Sequence, residues 1–286
     1  MSLDPRCSRP IVAAIAAPAS GILAARPIPG APHTVTYDER LDLARELTRR
    51  LLARHGQEAI LAVGLHGPGA GDDLRSDAEL DVAVVTTGPE VEIPARTLRH
   101  RGTVVDLGAI AAEDYLEEAG HIGPLWPLAA DQYLHQLALH DPTGFFGTLR
   151  QAHESAVASS PPEVFLAAAG YDLAELVSWE ARARADELNG DLPSALLAVK
   201  EAAVLAALVI GLVRRTPYRG AGQALRAAAT VSGMPAGFTE HYRRLLSPTI
   251  DPASAVLALG RVLHALEELA RREGIPFEAD DLDAFL

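Results

Sequence analysis

The chain changes character at about Pro162, and this change limits the folds that it can adopt. Before Pro162, short apolar runs of strand length follow one clear amphipathic helix and are separated by glycine-containing turns. After it come long segments rich in alanine and leucine, over residues 163–188, 193–215, 219–231, 238–246 and 252–273. We therefore predict an α+β fold, in which an N-terminal domain with a small mixed sheet precedes a C-terminal helical-bundle domain.

The predicted division of the chain has three parts. Residues 1–34 are rich in alanine and proline, and Pro18 and Gly21 interrupt an apolar stretch that is too short to span a membrane. We interpret this part as a disordered leader or a misassigned start, in preference to a secretory signal. Residues 35–147 are the expected sheet domain and residues 148–286 the helical domain. No other stretch is expected to cross a bilayer.

Composition and charge exclude several classes of function. The formal net charge of −13 argues against a nucleic-acid-binding surface, which needs clustered Lys and Arg. It fits a cationic small molecule, although an acidic surface also serves solubility. Cys7 is the single cysteine, which excludes an internal disulfide and a cysteine-based zinc site. The ten histidines show no H-E-x-x-H spacing for zinc.

The first half begins with a well-marked helix. Thr36 and Glu39 have the spacing of a capping box, leucines follow at helical intervals, and Gly56 can end the helix. Three apolar runs of strand length come next, over residues 58–65, 79–85 and 101–110.

Carboxylates alternate at the start of the second of these strands. Asp77, Glu79 and Asp81 would share one face, because side chains in a strand alternate. Charges embedded in an apolar strand are costly unless they are paired or bind a metal. Asp77 and Glu79 are close enough to bind one divalent cation, and Asp106 in the next apolar strand would complete a site for Mg²⁺. The alternative is a solvated polar face of the strand.

The glycine turn "GPGAGDD" before these carboxylates matches neither common phosphate-binding motif. A P-loop ends in Lys followed by Ser or Thr, whereas this turn ends in aspartates. A dinucleotide-binding turn needs G-x-G-x-x-G before a helix, but here the spacing differs and strand-like sequence follows.

Several stretches together resemble the kanamycin nucleotidyltransferases, which are aminoglycoside 4′-O-nucleotidyltransferases of the polymerase-β-like superfamily. The likeness covers about residues 36–273 and includes "TYDERLDLARELTRRLLARHG", "SDAELDVAVV", "GTVVDLGAIAAEDYLEEAGHIGPLWPL", "LHD", "DLPSALLAV" and "LVIGLVRRTPY". It implies a nucleotidyltransferase domain over residues 35–147, Mg²⁺, and ATP or another NTP as co-substrate. It also implies an aminoglycoside-like cationic acceptor, a cytoplasmic homodimer, and no nucleic-acid or membrane partner.

The resemblance also assigns roles to individual residues. It implies that Asp77 and Glu79 are metal ligands and that Asp106 is the third acidic residue of the site. It implies that Glu175 is the general base, since ungapped counts from Trp126 and from Pro193 both reach it.

A helical reading of the chain around Glu175 agrees with that role in part. Glu175 would share a polar and aromatic stripe with Tyr171, Ser178, Trp179 and Arg182, apart from an apolar side formed by Leu173, Leu176 and Val177. The alternative is an ordinary solvated glutamate on a helix.

The chain departs from the family where the nucleotide phosphates are held. Gly67 and Pro68 stand where the family has Gly-Ser, so a hydroxyl and a backbone donor are lost. The loop that follows is shorter, and Arg75 is its one cation. Trp179 takes the place of a lysine, which leaves Arg182 to supply positive charge. Weakened nucleotide binding, a different nucleotide and a catalytically retired site all remain open.

Two further functions stay open on the sequence. The chain could be a binding or regulatory module that keeps the fold without turnover, or an enzyme with another small hydroxyl compound or a protein side chain as acceptor. Asp131, Glu118 and His121 are candidates for the acidic or polar lining of the site.

Overall fold

A computed structural model describes residues 35–70 and 79–277. These residues belong to one compact unit. The strands are β1 Ile60–His66, β2 Leu80–Thr86, β3 Arg96–His100, β4 Thr103–Ala111 and β5 Leu137–His140, with a 3₁₀ turn at Gly67–Ala70 after β1. The helices are α1 Tyr37–His55, α2 Ala112–Ala119, α3 Trp126–Ala129, α4 Asp131–Leu134, α5 Phe145–Ser159, α6 Pro162–Leu188, α7 Leu192–Arg214, α8 Ala221–Ala228, α9 Phe238–Leu245 and α10 Pro252–Glu273.

Helix α1 begins and ends where its sequence predicts. The side chain of Thr36 accepts a hydrogen bond from the backbone N–H of Glu39, and the Glu39 carboxylate accepts one from the backbone N–H of Thr36 at 2.8 Å. Gly56 ends the helix with φ of 88°, a conformation that favours glycine. The predicted capping box is therefore confirmed.

The sheet is mixed and five-stranded, in the order β3-β4-β2-β1-β5. Strands β2 and β4 run parallel, and the other neighbours are antiparallel. The predicted mixed sheet is thus confirmed, and β1, β2 and β4 match the three predicted runs. Strands β3 and β5 were not predicted. Every residue of β3 is exposed and β5 has four residues, so neither shows the apolar alternation of a half-buried strand.

The two faces of the sheet bury different sets of side chains. One face packs against α1 and contains Leu65, Val82 and Val105. The opposite face contains Ala62 and Val85 and packs against α2 and α5. The alternation of side chains along each strand produces this division.

Helix α5 is capped at its N-terminus by the side chain of Asp141, which lies outside the apolar pattern of the helix. Both oxygens of the Asp141 carboxylate accept hydrogen bonds from backbone N–H groups of the first turn, from Phe145 at 2.7 Å and from Phe146 at 3.1 Å. Gly144 supplies the left-handed residue before the helix, with φ of 73°. Asp141 therefore ties the end of the sheet region to the helices that follow.

The helices after residue 160 match the predicted segments to within about three residues at each end, and α6, α7 and α10 surround an alanine- and leucine-rich core. Helix α7 is long and apolar enough to cross a membrane by length and composition, which the sequence analysis did not anticipate. Most of it is buried against other helices, including Ala202, Ala206 and Val209, as expected of a core helix.

The predicted domain boundary at residue 147 stays a prediction. Side chains pack across it, since the Trp126 ring lies edge-on against the Phe165 ring at 5.1 Å between centroids.

Candidate functional site

Four polar side chains lie in register across four strands of the sheet. His66 of β1 pairs with Asp81 of β2, Asp81 pairs with Asp106 of β4, and Asp106 pairs with Thr97 of β3. Paired residues of neighbouring strands share a face of the sheet, so these four side chains form one continuous row. We call His66, Asp81, Asp106 and Thr97 the polar row. It lies on the face that packs against α2 and α5, beside the 3₁₀ turn.

The Asp106 carboxylate is held in place from the edge strand. The hydroxyl of Thr97 donates a hydrogen bond to Asp106 Oδ1 at 2.7 Å. Asp106 is otherwise exposed to solvent. One of its oxygens is thus oriented by β3 while the carboxylate remains accessible to a ligand.

Asp81 occupies the centre of a concentration of negative charge. Burial, followed by the charges of Glu79, Asp106 and Asp131, raises the pKa of its carboxyl group to about 7. Like charges at short range disfavour ionisation, and partial burial strengthens that effect. A bound cation would relieve the repulsion among these four carboxyl groups.

His66 and Asp131 complete the surroundings of the row. Burial lowers the pKa of the His66 imidazole, and the negative charges of Asp131 and Asp106 oppose that shift. Asp131 is 5% exposed, and its Oδ1 forms a hydrogen bond with Nδ1 of His135 at 2.8 Å. The candidate lining residue Asp131 is therefore close enough to the polar row to influence two of its members.

Gly67 makes room for the Asp81 side chain. Its φ is 66°, which a residue with a side chain adopts at a cost. A Cβ atom at this position would lie 2.5 Å from Asp81 Oδ2. The turn after β1 therefore favours glycine for its backbone conformation, and any larger residue at this position would force the Asp81 carboxylate to shift.

The structure describes two of the three predicted metal ligands, Glu79 and Asp106. Glu79 is exposed immediately before β2, and Asp106 lies in the polar row. Asp77 and Arg75 lie outside the described residues, so the three-carboxylate set stays a prediction. Across residues 35–70 and 79–277, no group of three or more His, Cys, Asp or Glu residues is arranged to hold a metal ion.

The donors that the structure does bring together nevertheless suit Mg²⁺. This ion prefers oxygen ligands and takes one or two carboxylates, with waters and phosphates completing its shell. The charges of Glu79 and Asp106 both act on Asp81, and the space that a Cβ at Gly67 would fill holds the Asp81 carboxylate. Asp81 was not among the predicted ligands. The alternation of acidic residues indicated its face, but only the strand register shows that it lies beside Asp106.

Helix α6 carries the predicted base on an exposed face. Glu175 and Tyr171 are exposed, whereas Leu173 and Leu176 are buried, as the stripe predicted. Val177 is an exception, since it is 39% exposed rather than part of the buried side. The catalytic role of Glu175 stays a prediction.

Arg182, the predicted nucleotide contact on α6, interacts with its own helix. Its guanidinium lies over the Trp179 ring at 5.4 Å from the centroid, and its Nε is 4.0 Å from Asp186 Oδ2. Its role in nucleotide binding stays a prediction.

One turn before Glu175, α6 buries a carboxyl group that the sequence analysis missed. Asp172 is 2% exposed, and its Oδ2 has no hydrogen-bond partner within the described part of the chain. Burial, with a smaller contribution from the charge of Glu175, raises the pKa of Asp172 to about 8. The sequence carried no signal for this burial, because it arises from tertiary packing against α6 and not from a local pattern.

A cavity of about 600 Å³ lies at the other end of β2 and β4, away from the polar row. Thr86, Ile93, Pro94 and Ile110 are among its mainly apolar lining residues. We assign the candidate site to the polar row, since the clustered carboxylates and the glycine turn lie there. Of the other lining candidates, Glu118 lies on α2 and His121 just after it, and neither belongs to the row.

Comparison with known proteins finds distant relatives over most of the chain. The chain is 23% identical over 248 residues to aminoglycoside nucleotidyltransferase (4′) from Staphylococcus aureus, and equally to the protein of that name from a Bacillus species. Each alignment covers 85% of this chain and 94% of the relative. No family model matches the chain. A nucleotidyltransferase-like protein from Exiguobacterium sibiricum aligns over 80% of each chain, with 16% identity and a TM-score of 0.43.

Proposed function

We propose that this chain is a nucleotidyltransferase that moves a nucleoside monophosphate from ATP or another NTP to a hydroxyl of an aminoglycoside, releasing pyrophosphate. The observation that carries the proposal is the alignment of Asp81 and Asp106 on neighbouring strands, beside Glu79 and the Gly67 turn. The distant similarity to two aminoglycoside nucleotidyltransferases (4′) supports the same activity.

In this proposal Asp77, Glu79 and Asp106 hold Mg²⁺, which when bound neutralises charge on the phosphates of the nucleotide. Thr97 fixes the orientation of the Asp106 carboxylate through its 2.7 Å hydrogen bond. Gly67 lets the turn approach Asp81 closely. These residues position the α-phosphate for attack, and catalysis of this kind depends mainly on positioning and electrostatics.

Glu175 accepts the proton of the attacking hydroxyl in this proposal. Its exposed position on α6 leaves it accessible to an acceptor, as a general base requires. We further propose a cytoplasmic homodimer, in which Glu175 serves the nucleotide bound either to its own subunit or to the partner.

The acceptor we propose is a polycation. The charges of three carboxylates, Glu79, Asp106 and Asp131, act on Asp81 at the site, and the whole chain carries a net charge of −13. Such a field attracts amino-sugar substrates to the polar row and supplies partners for their ammonium groups.

The direct test combines the purified protein with MgATP and a panel of kanamycin, tobramycin and neomycin. We expect pyrophosphate release and a drug product heavier by the mass of AMP. Pyrophosphate release that depends on another hydroxyl compound, with no modified drug, would indicate a different acceptor. Absence of turnover with every NTP and acceptor, in a folded protein, would contradict the proposal.

The role of Glu175 has a matched control on the same helix. Glu175→Gln should lower kcat by at least about 100-fold, since a general base contributes that much or more. Glu163→Gln, an exposed glutamate in the first turn of α6, should leave kcat unchanged. Equal activities of the two variants would remove Glu175 from the reaction.

A second candidate function is a binding or regulatory module that keeps the fold without turnover. The specific observation in its favour is Pro68, which lies in the 3₁₀ turn after β1 and cannot donate a backbone hydrogen bond to a phosphate. Nucleotide binding without pyrophosphate release, for every acceptor tried, would favour this alternative.

A further inference from the structure

We propose that Arg99, on the exposed edge strand β3, binds the β- and γ-phosphates of the nucleotide and replaces the phosphate contacts that the Gly67–Pro68 turn lacks. This inference rests on the proposed nucleotidyltransferase function. Arg99 is not among the residues assigned to nucleotide binding from the sequence, which are Gly67, Pro68, Arg75 and Arg182.

The strand register puts Arg99 on the face of the candidate site. Arg99 pairs with Val104 of β4, two residues beyond the pairing of Thr97 with Asp106. Residues two apart in a strand share a face, so Arg99 lies on the same face as Thr97 and the rest of the polar row. It lies toward the start of β4, which is also the end of the sheet where β2 begins.

The same register places Glu79 level with Arg99. The parallel β2–β4 ladder begins with Leu80 beside Val105, and its extension by one residue brings Glu79, just before β2, level with Val104. Glu79, Val104 and Arg99 thus form the next row along the sheet, parallel to the polar row. Two strand spacings separate Glu79 from Arg99, about 10 Å between Cα atoms. A polyphosphate beside Glu79 and Asp106 therefore lies within reach of a long arginine side chain.

Arg99 is also distinguished from its neighbouring arginines. Arg96 pairs with Leu107, which packs on the α1 face, so Arg96 lies on the opposite side of the sheet. The charge of Arg101 acts on Glu46 of α1, on that same side. The Arg99 side chain is exposed, and it forms no ion pair or hydrogen bond with any other described residue. Its guanidinium is consequently available to a ligand.

Arginine suits this role chemically. A guanidinium presents its N–H donors in a planar fork that binds phosphate oxygens in pairs, and it stays charged at every physiological pH. The turn after β1 offers glycine and proline, without the hydroxyl of a serine. A site dominated by carboxylates needs positive charge on the far side of the phosphates, and β3 supplies it. The alternative role for Arg99 is protection of the sheet edge against pairing with other chains.

Calorimetric titration of Arg99→Ala, Arg99→Lys and Arg96→Ala with MgATP and with magnesium pyrophosphate tests the inference. Arg96→Ala is the matched control, because it removes an exposed arginine from the same strand on the opposite face. We expect Arg99→Ala to weaken both ligands at least about tenfold, as loss of a charge-assisted contact predicts. Arg99→Lys should recover part of the affinity, and Arg96→Ala should bind within about twofold of the wild type.

The possible outcomes separate this inference from the proposed function. Wild-type affinity in Arg99→Ala, with the wild type itself binding both ligands, would overturn the role of Arg99 and leave the enzyme proposal standing. Equal losses in Arg96→Ala and Arg99→Ala would likewise overturn it, since both residues border the sheet edge. No binding of MgATP or pyrophosphate by the wild type would overturn both. Far-UV circular dichroism of each variant confirms that the fold is intact.

Discussion

Two carboxyl groups, half-buried Asp81 in the sheet and fully buried Asp172 in α6, share a raised pKa but differ in their surroundings. The pKa of Asp81 is about 7 and that of Asp172 about 8, and burial is the largest cause for both. Three further carboxylates act on Asp81, which lies near the start of the central strand β2, beside the turn after β1. A single one, Glu175, acts on Asp172 inside a helical layer.

This difference separates a carboxyl group in a candidate binding site, Asp81, from one that affects only the stability of the fold, Asp172. Repulsion around Asp81 comes in part from the exposed carboxylates of Glu79 and Asp106, and Gly67 leaves room for the Asp81 side chain. Binding a cation would relieve this repulsion. Asp172 has one unpartnered oxygen among buried helices, where its ionisation destabilises the fold without offering a contact. Substitutions at the two places should therefore affect different quantities, activity in the sheet and stability in the helix.

The largest effect is expected in the sheet. Asp106→Asn keeps the acceptor for Thr97 but removes a charge, so turnover should fall at least about 100-fold. Asp77→Asn should abolish activity and leave the thermal transition near that of the wild type. Asp114→Asn, an exposed carboxylate on α2, is the control and should remain fully active. Coupled assays of pyrophosphate release measure all three. Loss of the folded state in Asp106→Asn or Asp77→Asn would mean that the carboxylate is structural.

A smaller but specific effect is expected at Gly67. Gly67→Ala should destabilise the protein by about 1–3 kcal/mol because of its positive φ. The contact with Asp81 Oδ2 should add roughly 1 kcal/mol. Gly144→Ala is the control, since Gly144 has φ of 73° with open space around its Cβ position. Urea unfolding should give the larger loss for Gly67→Ala, and Asp81→Ala should remove the excess. Equal losses for the two glycines would show that Asp81 does not constrain the turn.

At Asp172 the expected effect is on the pH dependence of stability. Its folded pKa of about 8 lies above the ordinary carboxyl value of 3.8, so the folded protein retains a proton that the unfolded chain releases. The stability of the wild type should therefore fall as pH rises from about 4 to 8. Asp172→Asn should raise Tm by about 3–5 °C at pH 8.5 and little at pH 4.5. Glu163→Gln should leave the pH profile unchanged, and parallel profiles for wild type and Asp172→Asn would contradict the raised pKa.

The smallest effect is expected at the turn. Pro68→Ser restores a hydroxyl and a backbone N–H, and should tighten MgATP binding by about two- to tenfold, the value of one added hydrogen bond. Pro94→Ser, in the loop before β3, should not change the affinity. An unchanged affinity in Pro68→Ser would place the nucleotide away from the turn after β1.

The elements that the sequence predicted are those with strong local signals. The capping box of Thr36 and Glu39 and the helix-ending Gly56 fix α1 through contacts within a few residues. Strand β3 was not predicted, because all of its residues are exposed and its sequence shows no alternation of apolar and polar residues. Helix α5 was not predicted, because the residue that caps it, Asp141, does not belong to the apolar pattern of the helix.

For the candidate site, the sequence determined which residues carry charge and that acidic side chains alternate along β2. Only the tertiary structure decided that Asp81 meets Asp106 and His66, that Thr97 holds Asp106, and that Asp172 is buried. The physical reason is range. Caps and periodicity act within a few residues along the chain. Strand register joins more distant residues, nine positions apart for Thr97 and Asp106 and 25 for Asp81 and Asp106. No local pattern specifies which side chains such pairings bring together.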